Sequence, residues 1–107
     1  MITEHAVLDV EPGEEAAFEQ AFGRAKSIIA SMPGFVSLTL DRCVEVPSRY
    51  LLLVEWETIE DHTEGFRQSP AYEEWRELLH HFYDPFPTVQ HYRRVTEIGA
   101  PAPRSRR

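Results

Sequence analysis

Residues 50–57 read Tyr-Leu-Leu-Leu-Val-Glu-Trp-Glu. Tyr50 to Val54 would present apolar side chains to both sides of an extended chain, and only Glu55-Trp56-Glu57 alternates. Such a strand belongs in the middle of a sheet, covered on both faces. Helices can cover one face. A second copy of the chain would cover the other.

Upstream, Pro47-Ser48-Arg49 is a candidate hairpin turn, preceded by a strand over 35–46. There Val36, Leu38, Leu40 and Val44 alternate with Ser37, Thr39, Asp41 and Cys43. Pro33-Gly34 stops a helix that runs to about Met32. Phe18, Ala21, Phe22, Ala25, Ile28, Ile29 and Met32 recur along it at helical spacing. Residues 2–10 form a half-buried strand. Ile2, Ala6, Leu8 and Val10 share one face with Glu4, and Thr3, His5, Val7 and Asp9 share the other. Downstream, Thr58 caps a short helix reaching about Gln68. Ser69-Pro70 starts another, with Tyr72, Trp75, Leu78, Leu79 and Phe82 on one face. A fourth strand is expected over 88–98. The order β-α-β-β-α-β is the ferredoxin-like α+β pattern, with helices on one face of an antiparallel sheet.

Composition narrows the function. A chain of 107 residues makes one domain, and one that gains from self-association. The net charge of −7 argues against a nucleic-acid partner. Arg104, Arg106 and Arg107 form a basic cluster on a Pro-punctuated tail. Cys43 is the sole cysteine, so no internal disulfide can form, which suits the cytoplasm. Neither a signal peptide nor a membrane span is expected.

Met32-Pro33-Gly34-Phe35, then Val54-Glu55-Trp56-Glu57, then Phe66-Arg67-Gln68-Ser69-Pro70-Ala71-Tyr72 resemble antibiotic biosynthesis monooxygenase (ABM) domains in order and spacing. Residues 1–98 are read as the ABM-like domain and 99–107 as a flexible tail. The resemblance implies a homodimer whose two sheets form a shared α+β barrel, with a pocket between sheet and helices in each protomer. It also implies oxygenase chemistry on phenols or quinols, or haem degradation.

The antibiotic-type members carry Asn, Trp and Tyr in the pattern N-x3-W-x5-Y. Here those positions hold His62, Phe66 and Tyr72. Quinol-type members commonly have His where Phe66 stands. Haem-degrading members place an axial His where this chain has Arg76, which cannot ligate iron. The resemblance therefore implies a cofactor-free monooxygenase acting with O2 on a small aromatic phenol or quinol. His62 is its candidate base and Tyr72 its candidate hydrogen-bond donor to substrate. Phe66, Trp75 and Phe82 would shape the apolar pocket, and His5 or His91 could enter it from the strands. The alternative is a non-catalytic, dimeric small-molecule-binding domain of the same fold.

Plainer readings stand beside these. His62 lies in the polar run Glu60-Asp61-His62-Thr63-Glu64, which favours solvent exposure. Tyr72 on an apolar helix face is commonly a core residue with its hydroxyl at the rim. His80 and His81 point about 100° apart on a helix, so a shared metal ion is not expected.

Overall fold

The structure is a computed structural model describing residues 1–83 and 85–101. Arg104, Arg106 and Arg107 lie outside the described residues. The elements are β1 (Ile2–Asp9), α1 (Glu15–Ala30), β2 (Phe35–Arg42), β3 (Arg49–Trp56), a π-helix (Asp61–Phe66), α2 (Pro70–Leu79), a 3-10 turn (His80–Phe82) and β4 (Val89–Tyr92). The strands form one antiparallel sheet in the order β2-β3-β1-β4. This is the ferredoxin-like arrangement, and β3 is an inner strand as its composition demands.

Strand alternation decides what faces the helices. In the β1–β3 register Ile2 opposes Trp56, Glu4 opposes Val54, Ala6 opposes Leu52 and Leu8 opposes Tyr50. All eight side chains are buried. Against them α1 lays Phe18, Ala21, Phe22, Ala25 and Ile29. Phe18 is the hub, with ring contacts to Phe22, Tyr50, Phe82 and Tyr83. The Tyr50 hydroxyl sits 2.6 Å from a Glu19 carboxylate oxygen, to which it donates. Burial and that carboxylate push its pKa up to about 12. On the other face Val7 stays 38% exposed in the single chain.

Three expectations from sequence are corrected. First, a bulge between Phe35 and Ser37 sends Phe35 toward Trp56 and leaves Val36 exposed. Second, β2 ends at Arg42, and Val44 lies in the turn. That turn spans 43–48, closed by Cys43 N–H to Arg49 O and Arg49 N–H to Val46 O. Third, β4 ends at Tyr92, not Ile98. Tyr92 opposes Thr3, so β1 soon offers no further partner, and Val95 and Ile98 are 96% exposed.

Both expected caps form. Asp61 N–H donates to Thr58 Oγ1 at 3.1 Å, and Thr58 N–H donates to Asp61 Oδ2 at 3.1 Å. This is a reciprocal capping box. Ser69 Oγ accepts from Tyr72 N–H at 3.3 Å, with Pro70 beginning the helix. Gly34 adopts φ 82°, and a Cβ there would collide with the Asp61 carboxylate. The helix stop at 33–34 and the cap of the π-helix are therefore packed as one unit. Among the described residues no helix is long and apolar enough to cross a membrane.

Candidate active site

A cleft lies between the sheet and the second helical region. Its apolar wall comes from Ala6, Leu8 and Leu52 on the strands, Phe66 at the end of the π-helix, and Trp75 on α2. Tyr72, Arg67, His80, Tyr83 and Phe86 line the rest. Phe66 and Trp75 are almost fully buried and meet edge to face, with ring centroids 5.7 Å apart. Tyr72 stacks its edge on Phe66 at 5.3 Å. The cavity is small, about 30 Å³. That is enough for a water or two, against the several hundred Å³ typical of ligand pockets. Phe86, 54% exposed, closes one side.

One corner of this cleft is polar and buried. Glu4 is 6% and His62 2% exposed. Trp56 Nε1–H donates to Glu4 Oε1 at 3.0 Å. His62 Nε2 lies 3.3 Å from the same oxygen. On its other side His62 Nδ1 meets His91 Nε2 at 2.7 Å. The His62 ring also lies over Trp56, tilted by 23° with centroids 5.6 Å apart. The β1–β4 register sets Glu4 opposite His91, which places the two on one face.

Burial governs the charges here. It lowers His62 to about 3, helped by the cations or partial charges of Arg67 and His91. His62 is therefore neutral at physiological pH, and its 3.3 Å contact with Glu4 is a close polar approach rather than an ion pair. Burial raises the Glu4 carboxyl, while the Trp56 hydrogen bond and Arg67 oppose the rise. Burial also lowers His91, and it raises the hydroxyls of Tyr72 and Tyr83. A Glu4 carboxylate presents only lone pairs, so the tautomer with the proton on His62 Nε2 is the one that avoids repulsion across the 3.3 Å contact. His62 Nδ1 is then an acceptor, and His91 Nε2–H is its donor.

A pH prediction follows from His62, which the unfolded chain protonates near 6.5 and the folded chain only near 3. Between those values the unfolded state binds more protons, so stability falls as pH drops through the window. His80, lowered by burial to about 4, acts in the same sense. Urea midpoints measured from pH 7 to 4 should fall in wild type and fall less steeply in His62→Asn. Parallel curves would show that His62 titrates normally in the folded protein.

The structure sorts the sequence candidates. His62, Phe66, Tyr72 and Trp75 converge on the cleft. The exposed reading of His62 is overturned, because tertiary contacts bury it despite its polar neighbours. His91 stands behind His62. Two candidates move elsewhere. His5 follows Glu4 by one residue and so faces the opposite side of the sheet, edge to Tyr92 at 5.3 Å. Phe82 belongs to the 3-10 turn and packs on Phe18 in the core, away from the cleft. Glu4 and Arg67 were not singled out from sequence. For Glu4 a signal existed: it is the one acid in the apolar row Ile2, Ala6, Leu8, Val10.

The profile of the antibiotic biosynthesis monooxygenase (ABM) family matches residues 1–78. The chain belongs to that family. It is 54% identical over 95 residues to the uncharacterized protein YczJ of Bacillus subtilis, covering 89% of this chain and all of the relative. Among solved structures, a Bordetella bronchiseptica protein named for the ABM family is 38% identical, with a TM-score of 0.85. The match covers 89% of this chain and 97% of that one. SnoaB of Streptomyces nogalater, a cofactor-independent oxygenase, shares the fold at TM-score 0.77 and 22% identity, covering 92% and 97%.

Proposed function

We propose that this ABM protein is a cofactor-independent monooxygenase that oxidises a small aromatic phenol or quinol with O2. The observation that carries this reading is the cleft itself. An apolar slot walled by Phe66 and Trp75 is also lined by Tyr72 and Arg67 and ends in the buried Glu4–His62 corner. Triplet oxygen reacts slowly with neutral closed-shell molecules, whereas a phenolate can pass it one electron. The site must therefore remove a proton, hold the anion and exclude water. The aromatic wall suits a planar ring. Tyr72 is placed to donate to the substrate oxygen, and Arg67 offers charge to the anion. The description of SnoaB as a cofactor-independent oxygenase supports the reaction class.

The working unit in this reading is a cytoplasmic homodimer. The outer face of the sheet presents Val7, Leu51 and Leu53, which a second copy would cover. Light scattering should give twice the chain mass of 12.4 kDa. A 12.4 kDa species at micromolar concentration would refute the dimer.

Oxygen uptake with anthrone-like and hydroquinone substrates tests the reaction, with no flavin or metal added. Uptake matched to product formation is expected, and Tyr72→Phe should lower it about 100- to 1,000-fold through loss of one preorganised donor. Phe66, which stands where antibiotic-type members carry Trp, favours one rival, a binding domain that has lost the reaction. Ligand binding without oxygen uptake across the panel would select that rival.

A further inference from the structure

We propose that Glu4 is the catalytic base of this cleft and that His62, held by His91, positions it. The inference rests on the oxygenase reading and names the group that takes the substrate proton.

His62 Nδ1 is taken up by His91 at 2.7 Å, and Nε2 is turned to the Glu4 carboxylate at 3.3 Å, where a proton on Nε2 avoids lone pair facing lone pair. A neutral imidazole so placed has no lone pair left for a substrate. His62 can therefore line the cleft without being its base. Glu4 is the opposite case. Trp56 Nε1–H and His62 Nε2 both meet the same oxygen, Oε1. Among the described residues Oε2 has no hydrogen-bond partner, yet no side-chain oxygen fully shut off from solvent lacks one. Glu4 lines the cleft, so Oε2 is the carboxylate atom open to it.

The surroundings tune this group from every side. Trp56 on β3 donates to it, and His62 on the π-helix lies 3.3 Å from the same oxygen. Arg67, which follows the π-helix, favours its charged form. Tyr72 on α2, Tyr83 beyond the 3-10 turn and His91 on β4 complete the set of titratable neighbours. Burial raises its proton affinity, which brings a carboxylate toward the range useful for general-base work.

The substrate O–H, or an acidic C–H conjugated with it, breaks, and an O–H bond forms at Oε2. The electron pair stays on the substrate, whose anion gives one electron to O2. The resulting radical pair closes a C–O bond to give a peroxide. The proton held by Glu4 returns as the O–O bond breaks. The C–H bond of the carbon bearing the peroxide breaks as well, its electron pair closing the product carbonyl, and its proton and the one from Glu4 leave with the second oxygen atom as water.

Glu4→Gln is close to isosteric, and its amide oxygen still accepts from Trp56. The test is oxygen uptake against pH with an anthrone-like substrate. Wild type should show a kcat/KM that rises through an acidic limb. Glu4→Gln should fall at least about 100-fold, and any remaining limb should follow ionisation of the free substrate. Trp56→Phe removes a donor that favours the carboxylate, so its limb should move to higher pH. That shift decides the matter even if Glu4→Gln does not fold. Activity in Glu4→Gln within threefold of wild type, or an unmoved limb in Trp56→Phe, overturns the assignment and leaves the oxygenase reading standing. No uptake by wild type with any substrate overturns both.

Discussion

Phe18→Ala is expected to cost about 3–5 kcal/mol, the range for removing a fully buried aromatic side chain. Phe18 is 0% exposed and meets four aromatic rings drawn from α1, β3, the 3-10 turn and the residue after it. Few of these can collapse into the space, because each is fixed by its own element. A domain is commonly stable by about 5–15 kcal/mol, so this one change removes a large share. Urea unfolding followed by circular dichroism should show a lower midpoint and an unchanged slope. A loss under about 1.5 kcal/mol would mean that the core repacks around the gap.

Gly34→Ala is the second large effect, expected at about 2–3 kcal/mol. A left-handed residue with a side chain costs roughly 1–2 kcal/mol. To this is added the collision of the new Cβ with the Asp61 carboxylate. Asp61 caps the π-helix together with Thr58, and a disturbed cap costs about 1 kcal/mol. Gly13→Ala is the control. Gly13 has φ 95°, but no atom stands within 4 Å of its would-be Cβ, so it pays strain alone. Equal losses at the two sites would show that Asp61 moves aside freely. The cap also orients His62, so Gly34→Ala should reduce oxygen uptake while Gly13→Ala should not.

Much of the fold was legible because the relevant forces are local. The alternation in β1, the helical stripe of α1 and the caps at Thr58 and Ser69 all stand where residue spacing and turn chemistry place them. What escaped depended on partners distant in sequence. The end of β4 is decided by where β1 stops, and the facing of Val36 by a bulge against β3. At the site, Tyr72, Phe66 and Trp75 were found by spacing and by resemblance. His62 was misjudged because its neighbours Glu60, Asp61 and Glu64 are polar, while its burial is set by Glu4 and Trp56, more than fifty residues apart from each other. His5 and His91 were indistinguishable until the β1–β4 register put His91, and not His5, beside Glu4.

The π-helix at Asp61–Phe66 bears on how relatives of this chain are to be aligned. Its closing bond runs from Arg67 N–H to His62 O, five residues back, where an α-helix would reach back four. A single deletion inside this turn would restore the ordinary winding and swing His62 by about 100° relative to Phe66. A relative one residue shorter between Thr58 and Ser69 would thus need a different side chain in the Glu4 corner, even if its sequence still read His at the matching column. Gap placement in this short stretch determines which column corresponds to the buried histidine, and family members are best grouped by it.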